Sequence, residues 1–430
     1  MVARLLTLLA IAFAMISQPL AAKTRDSLDK AARDYVLLSL TIGEKEDGYI
    51  DAYYGPPELK AQAVAEAAKQ DLAALSRRAE ALRIRVRHLT PADPAAANAK
   101  RARFIEAQLT AALTRLRMMR GEHLPFAEEA VGLFGVRPQL VPLASLDPVL
   151  ARIEALVPGP GTLAERISAF NDRFNIPPDR LRPVMEAAIA ECRRRSAQHI
   201  VLPEGERFDL GFVTGKPWGG YNFYLGGNHS RIEINTDLPV RLSRAVDLGC
   251  HEGYPGHHAY NVLLEQKLVK GRGWIEFTVY PLYSPQSFIA EGSANYGIHL
   301  TFPGKQMSDF VSGTLAPIAG FDPAEAARYV ALQEALEDLA PARYTIAQQW
   351  LDHAIDDAEA VRLSQKYQLL SAERARKGLE FDRHYRSYVI NYGLGQDMVR
   401  MHVEAAGDAA ARWRRMEQIL SEPTLPADLK

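Results

Sequence analysis

Residues 251–258 read His-Glu-Gly-Tyr-Pro-Gly-His-His. A His-Glu pair followed one helical turn later by a second His is the donor pattern of a helix-borne zinc site. That spacing puts both imidazoles on one face, where they share an ion. The Glu beside the first His is then placed to take a proton from water. Here Pro255 stands where the second His belongs. Removing Pro255-Gly256 leaves His251-Glu252-Gly253-Tyr254-His257, the expected spacing. The reading is that Pro-Gly bulges out of a helix and returns His257 to the second ligand position. Pro255 disrupts the turn holding His251, and Gly256 takes backbone that other residues resist. His258 is the competitor for the ligand role. In an unbroken helix it would share the face of His251 but lie about 10.5 Å along the axis. That is far for two donors each about 2.1 Å from one ion. His257 is preferred, and His258 is assigned to donate to substrate or to a developing oxyanion.

A catalytic zinc needs a third protein ligand and one open position. Glu291, in Phe288-Ile289-Ala290-Glu291-Gly292-Ser293-Ala294-Asn295-Tyr296, is the best candidate, because its small neighbours allow close approach to the His helix. Asn295, one turn later, is expected to hydrogen-bond a ligand and fix its orientation. The competing interpretation, a satisfied polar cluster in a helical core, is weakened by three imidazoles within eight residues and a helix-breaking Pro-Gly between them.

The rest of the chain frames this site. Its 430 residues are 47% hydrophobic and 24% charged, with a formal net charge of -1. That composition is globular, and the charge gives no reason to expect nucleic acid or an anionic membrane as partner. Arg4, the apolar run Leu5 to Ile16 and the small residues Ala21-Ala22 read as a secretory signal peptide cleaved near Ala22. The run is shorter than the roughly 20 residues of a spanning helix, so no membrane anchor is expected after cleavage. The mature protein is then periplasmic or secreted. Export permits a disulfide between Cys192 and Cys250, but two inert core thiols are expected instead.

Three regions follow: the leader (1–22), an N-terminal helical region (23–199) and a metal-site region (200–430) packed against it around one cleft. Apolar residues at three- and four-residue spacing make 24–120 mostly helical. Asp47 to Pro57 is a turn-rich insert, and Pro125 to Pro148 reads as loop. Residues 200–235 are rich in Gly and aromatics, and Arg231 to Asn235 alternates polar and apolar as a half-exposed strand does. Asp322-Pro323-Ala324-Glu325 and Ala340-Pro341 open later helices. The fold class is mainly α, with a small β element at about 200–235 beside the active-site cleft. His229 and Arg231 are expected to contact substrate at the strand edge, where an extended peptide could add as a further strand. Asn235 reads as a turn or cap residue.

At these residues the chain resembles a bacterial family regarded as zinc hydrolases and catalogued as domain of unknown function 885. Residues 251–258 match its His-Glu-x-x-Pro-Gly-His-His segment. Glu291-Gly292-Ser293-Ala294-Asn295-Tyr296 matches Glu-Gly-Trp-Ala-x-Tyr, with Ser293 in place of Trp. Tyr392-Gly393-Leu394-Gly395-Gln396 matches an aromatic-Gly segment. The likeness spans most of the chain after residue 200 and only loosely the N-terminal helices. It implies a large helical fold like that of zinc carboxypeptidases and oligopeptidases, with Zn2+ as cofactor and a peptide or small amide as substrate. Glu252 would act as general base with zinc on His251, His257 and Glu291. Tyr385, Tyr388 and Tyr392 share a helical face. Tyr392 is the choice of oxyanion donor and Tyr388 a substrate contact; the alternative is a core tyrosine stripe. Two other functions stay open: a zinc hydrolase of a non-peptide amide or ester, and a non-catalytic periplasmic peptide-binding protein.

Overall fold

The computed structural model describes residues 26–216 and 218–430. The expected leader lies outside them. Helices dominate the described residues, as the mainly α reading requires, and none of them is long and apolar enough to cross a membrane. Ser27 caps the first helix, Leu28–Gly43, by accepting from the Lys30 amide at 3.3 Å. The expected starts at Pro323 and Ala340 are present, with Asp322 accepting from the Glu325 amide at 2.9 Å. Glu325 does not reach back to close a capping box; it pairs with Arg173 and Arg328.

The stretch Pro125 to Pro148 corrects the loop expectation. It holds a helix, Phe126–Phe134, a short 3-10 turn, Leu143–Leu146, and the start of helix Asp147–Leu156. Phe126, Ala130, Leu133 and Phe134 are buried, a helical spacing hidden by flanking Pro and Gly. Glu129 anchors the helix by accepting from the Ser387 amide (2.9 Å) and hydroxyl (2.6 Å).

The strands are β1 (Ile50–Tyr53), β2 (Arg207–Val213), β3 (Gly220–Gly226), β4 (His229–Asn235) and β5 (Val279–Pro281). β2, β4 and β3 form one sheet in that order, with β4 parallel to β2 and antiparallel to β3. Ser230, Ile232 and Ile234 are buried while Arg231 is exposed, so the alternation in β4 has its expected meaning. Its place does not. β4 is the central strand, so no peptide can add to it. Asn235 is not a turn residue as expected but the last residue of β4, in register with Val213 of β2, and its side-chain amide donates to the Lys216 and Trp218 carbonyls at 2.9 Å. β1 pairs antiparallel with β5, which turns the insert at Asp47 to Pro57 into a second wall of the cleft.

The helix Pro285–Thr301 runs through the centre of the molecule. Of its 17 residues only Asn295 and His299 are not buried, and both line the cleft. A helix apolar or buried all round belongs in a protein interior. The largest hydrophobic core draws on residues from Ala31 to Leu429, so the N-terminal helices and the metal-site region share it.

Candidate metal centre

Helix Leu242–Leu248 opens into a widened turn, Gly249–Gly253, that carries His251 and Glu252. Tyr254 is extended, the Tyr254–Pro255 bond is cis, and a new helix, His257–Leu264, starts after Gly256. The motif therefore joins two helices; it is not a bulge within one, because Pro255 lacks the N–H that a continuing helix needs. Gly256 is required by space and not by its φ of -79°. A Cβ there would stand 1.8 Å from the His251 carbonyl oxygen and 2.4 Å from that of Cys250. The Gly256 amide instead donates to the Cys250 carbonyl at 3.1 Å, folding the chain back so that His257 faces His251.

Helix Pro285–Thr301 supplies the third group. It meets helix Ile390–Glu404 backbone to backbone, since a Cβ on Gly292 would lie 2.5 Å from the Gly395 carbonyl. It meets the motif at Gly297, where a Cβ would lie 2.8 Å from Pro255 Cγ. The small residues thus do bring Glu291 close, as expected, but against two different neighbours.

The nitrogens His251 Nε2 and His257 Nε2 are 3.1 Å apart. Glu291 Oε2 is 3.3 Å from the first and Oε1 is 3.5 Å from the second. A tetrahedral ion with ligands at about 2.1 Å separates its donors by about 3.4 Å, so these three groups fit a zinc-sized cation. Two further observations agree. Asn295 donates to the Tyr392 carbonyl at 3.0 Å, which turns its Oδ1 toward His251 Nδ1 at 2.8 Å. His251 therefore carries its proton on Nδ1 and presents the Nε2 lone pair to the site. Glu291 Oε2 is buried without a hydrogen-bond partner, its contact to His251 lying outside hydrogen-bond geometry. A buried carboxylate oxygen with no donor is costly, and a cation is what it lacks.

The field is also that of a cation site. Burial works to lower the His257 pKa, but Glu291, Glu252 and Asp51 together raise it to about 9. Burial works to raise that of Glu291, and His257 and His251 carry it far below the usual carboxylate range. Three carboxylates thus surround two imidazoles. Asp51, on β1, is pushed up to about 6, mainly by burial, against the hydrogen bond donated by Tyr221.

These groups line a cleft of about 1810 Å³. Glu252 lies beside the site on the same turn as His251. Asn222 donates to its carbonyl at 2.7 Å, and among the described residues its carboxylate has no hydrogen-bond partner. Gly220 makes room for it: a Cβ there would lie 3.2 Å from Glu252 Oε1. Tyr388 donates to Glu291 Oε1 at 2.8 Å, so it holds the carboxylate in addition to lining the cleft. Tyr392 lines the cleft too. Burial, then Glu291, raises the pKa of both tyrosines well above the ordinary value, so both remain donors at neutral pH.

Other expected site residues lie elsewhere. His258 is fully buried on the far side of its helix and does not line the cleft. Its Nδ1 is 2.7 Å from Ser230 Oγ and its Nε2 is 2.9 Å from Glu206 Oε2. Starting a new helix at His257 points consecutive residues in different directions, which separates the two histidines. His229 pairs with Asp209 at 2.9 Å, Arg231 sits over the Phe223 ring at 4.8 Å, and neither lines the cleft. Ser293 is buried, bonds back to the Ala290 carbonyl at 3.1 Å and does not line the cleft. Asp51 and Tyr221 were not expected at the site. Asp51 stands in a turn-rich insert 200 residues from the motif, and the β1–β5 pairing and the bond from Tyr221 on β3 bring it near.

The cysteine expectation is corrected. Cys192 and Cys250 form a disulfide with Cα atoms 5.4 Å apart. It ties helix Pro178–Ser196 to the turn that carries His251.

Among solved structures the chain is similar to one named "putative lipoprotein from Colwellia psychrerythraea", at 18% identity and a TM-score of 0.51. The likeness covers 87% of this chain and 61% of that one, so this chain spans about three fifths of that protein, and it speaks to the fold alone. An alignment with the M32 carboxypeptidase from Deinococcus radiodurans R1 covers 91% of this chain and 88% of that one at 13% identity. Its TM-score of 0.35 is too low to carry inference. No protein-family model and no curated protein matches the chain.

Proposed function

We propose that the protein is an exported zinc-dependent hydrolase of the family catalogued as domain of unknown function 885, acting as a peptidase. The observation that carries this reading is the convergence of His251, His257 and Glu291, within 4.8 Å of one another, at a cleft that Glu252 also lines. Bound zinc supplies a Lewis acid for a scissile carbonyl and lowers the pKa of water. Glu252 takes the proton of the attacking water and returns it to the leaving amine. Tyr392 donates to the oxyanion as charge develops on it. Asn295 and Tyr388 hold His251 and Glu291 in place. A peptide is favoured over a compact amide by size: about 1810 Å³ exceeds the roughly 300–1,000 Å³ of small-molecule pockets. Export rests on the leader read at residues 1–22.

The test is metal analysis of the purified protein with a peptide-library digest, with and without chelator. One zinc per chain and chelator-sensitive peptide cleavage are expected. Zinc without peptide cleavage would move the reading to a non-peptide amide or ester, and absence of zinc to a binding protein.

A further inference from the structure

We infer that a basic annex of the cleft selects substrates bearing a carboxylate close to the bond that is cut. The inference deepens the hydrolase reading and rests on it. A second cavity, of about 590 Å³, adjoins the main cleft and shares with it Trp218, Gly219, Arg244, Leu248, Phe381 and Tyr385. Lys216, Arg241, Arg244, Arg374 and Lys377 line it, against the acidic residues Asp237 and Glu380. Arg241 pairs with Asp172 at 2.7 Å and Arg244 with Asp247 at 3.2 Å. Among the described residues Lys216, Arg374 and Lys377 have no carboxylate partner at ion-pair distance. Asp237 is already held by the Gly215 amide at 2.9 Å.

Arg374 is where stability alone would not place it. It lies in the first turn of helix Ala372–Tyr385, where the helix dipole disfavours a cation. Burial and the nearby Arg241 pull its pKa down, against Asp172 and Glu373. Like charges gathered at a cavity wall repel one another and attract an anion from solution. The annex is also close to the chemistry. A Cβ on Gly219 would lie 3.6 Å from Arg244 Nη2, and one on the next residue, Gly220, 3.2 Å from Glu252 Oε1. A single residue step, from Gly219 into the first residue of β3, therefore separates the edge of the basic annex from the proposed base. A substrate with its scissile bond at Glu252 can put a neighbouring anionic group among these cations.

The carboxylate has two sources, an acidic side chain or a peptide terminus, and the experiment separates them. Quenched fluorescent peptides are compared as Glu/Gln pairs at each position flanking the cut, and as C-terminal acid/amide pairs, on the zinc-loaded full chain. A higher kcat/KM for the anionic member of one pair is expected, carried mainly by KM. Whichever pair shows it names the source. In Arg374→Gln/Lys377→Gln the anionic-to-neutral ratio should fall about fivefold, while Arg117→Gln, remote and exposed, keeps it. Lys377→Ala, at an exposed position, gives a smaller fall if the double variant does not fold. No preference in the wild type, or a ratio unchanged in the variants, overturns the inference. If no peptide is cut, the hydrolase reading fails separately. Fluorescence anisotropy with the same labelled peptides then decides: tighter binding of the anionic member, lost in the double variant, upholds the annex, and equal binding ends it.

Discussion

Gly292 and Gly395 meet with no room for a side chain on the first: a Cβ on Gly292 would stand 2.5 Å from the Gly395 carbonyl carbon and oxygen. Because Glu291 is the neighbouring residue, this helix crossing sets where the third candidate donor sits. Gly292→Ala must separate two backbones, which cannot rotate aside as a side chain can. A destabilisation of about 2 kcal/mol is expected from overpacking, with zinc affinity weakened about tenfold as Glu291 shifts. Gly395→Ala is milder, its Cβ meeting the Phe288 carbonyl oxygen at 3.1 Å. Thermal melts and zinc titrations of both variants check the order. Equal affinity in Gly292→Ala and wild type would separate the crossing from the metal site.

Glu252→Gln keeps the shape of the side chain and removes its basicity. Since Glu252 is no donor in the His251, His257, Glu291 group, the variant should hold one zinc and melt like wild type. Turnover should fall by about two to four orders of magnitude. Wild-type turnover in Glu252→Gln would end the general-base role.

The two adjacent histidines should fail in different ways. His257→Ala removes a donor and should abolish zinc binding. His258→Ala leaves the donors intact but strips Glu206 and Ser230 of their buried partner. It should retain zinc and lower stability by about 2–3 kcal/mol. Zinc lost from His258→Ala and kept by His257→Ala would exchange the roles.

The disulfide closes a loop with a sequence separation of 58, for which chain entropy gives about 4 kcal/mol. Cys192→Ser/Cys250→Ser should melt well below wild type. Because Cys250 precedes His251, it should also bind zinc more weakly. Reduction of the wild type should reproduce both effects, read by denaturant titration with and without dithiothreitol.

What could be read from sequence divides along physical lines. That His251, Glu252, His257, Glu291 and Asn295 meet at one cleft was legible because a metal-ligand pattern restricts residue type and the helical period restricts spacing. The helix starts at Pro323 and Ala340 were legible because capping is local. The direction of His258 was not, because it depends on the chain restarting a helix at His257, which the Pro-Gly pair leaves undetermined. Asp51 and Tyr221 were hidden because a strand pairing across more than 220 residues, Ile50 with Pro281, leaves no local trace. The same holds for β4, whose alternation shows one buried face but not that both of its edges are taken. The helix at Phe126–Phe134 was masked because Pro and Gly mark helix ends as readily as loops.

The Glu206 carboxylate gives the fold a defined acid response. Burial works to raise its pKa, but His258, Tyr254 and Arg193 outweigh that and bring it down to about 2, from an ordinary 4.5. Its folded pKa is depressed, so its contribution is fully present above about pH 4.5 and is lost as pH falls toward about 2. That contribution is about 3 kcal/mol. Glu206→Gln should be less stable than wild type at neutral pH by this amount, and the gap should close between about pH 4.5 and 2. Urea midpoints of both proteins from pH 7 to 2 read it directly. A gap that stays constant over that range would mean that Glu206 acts through packing and not through its charge.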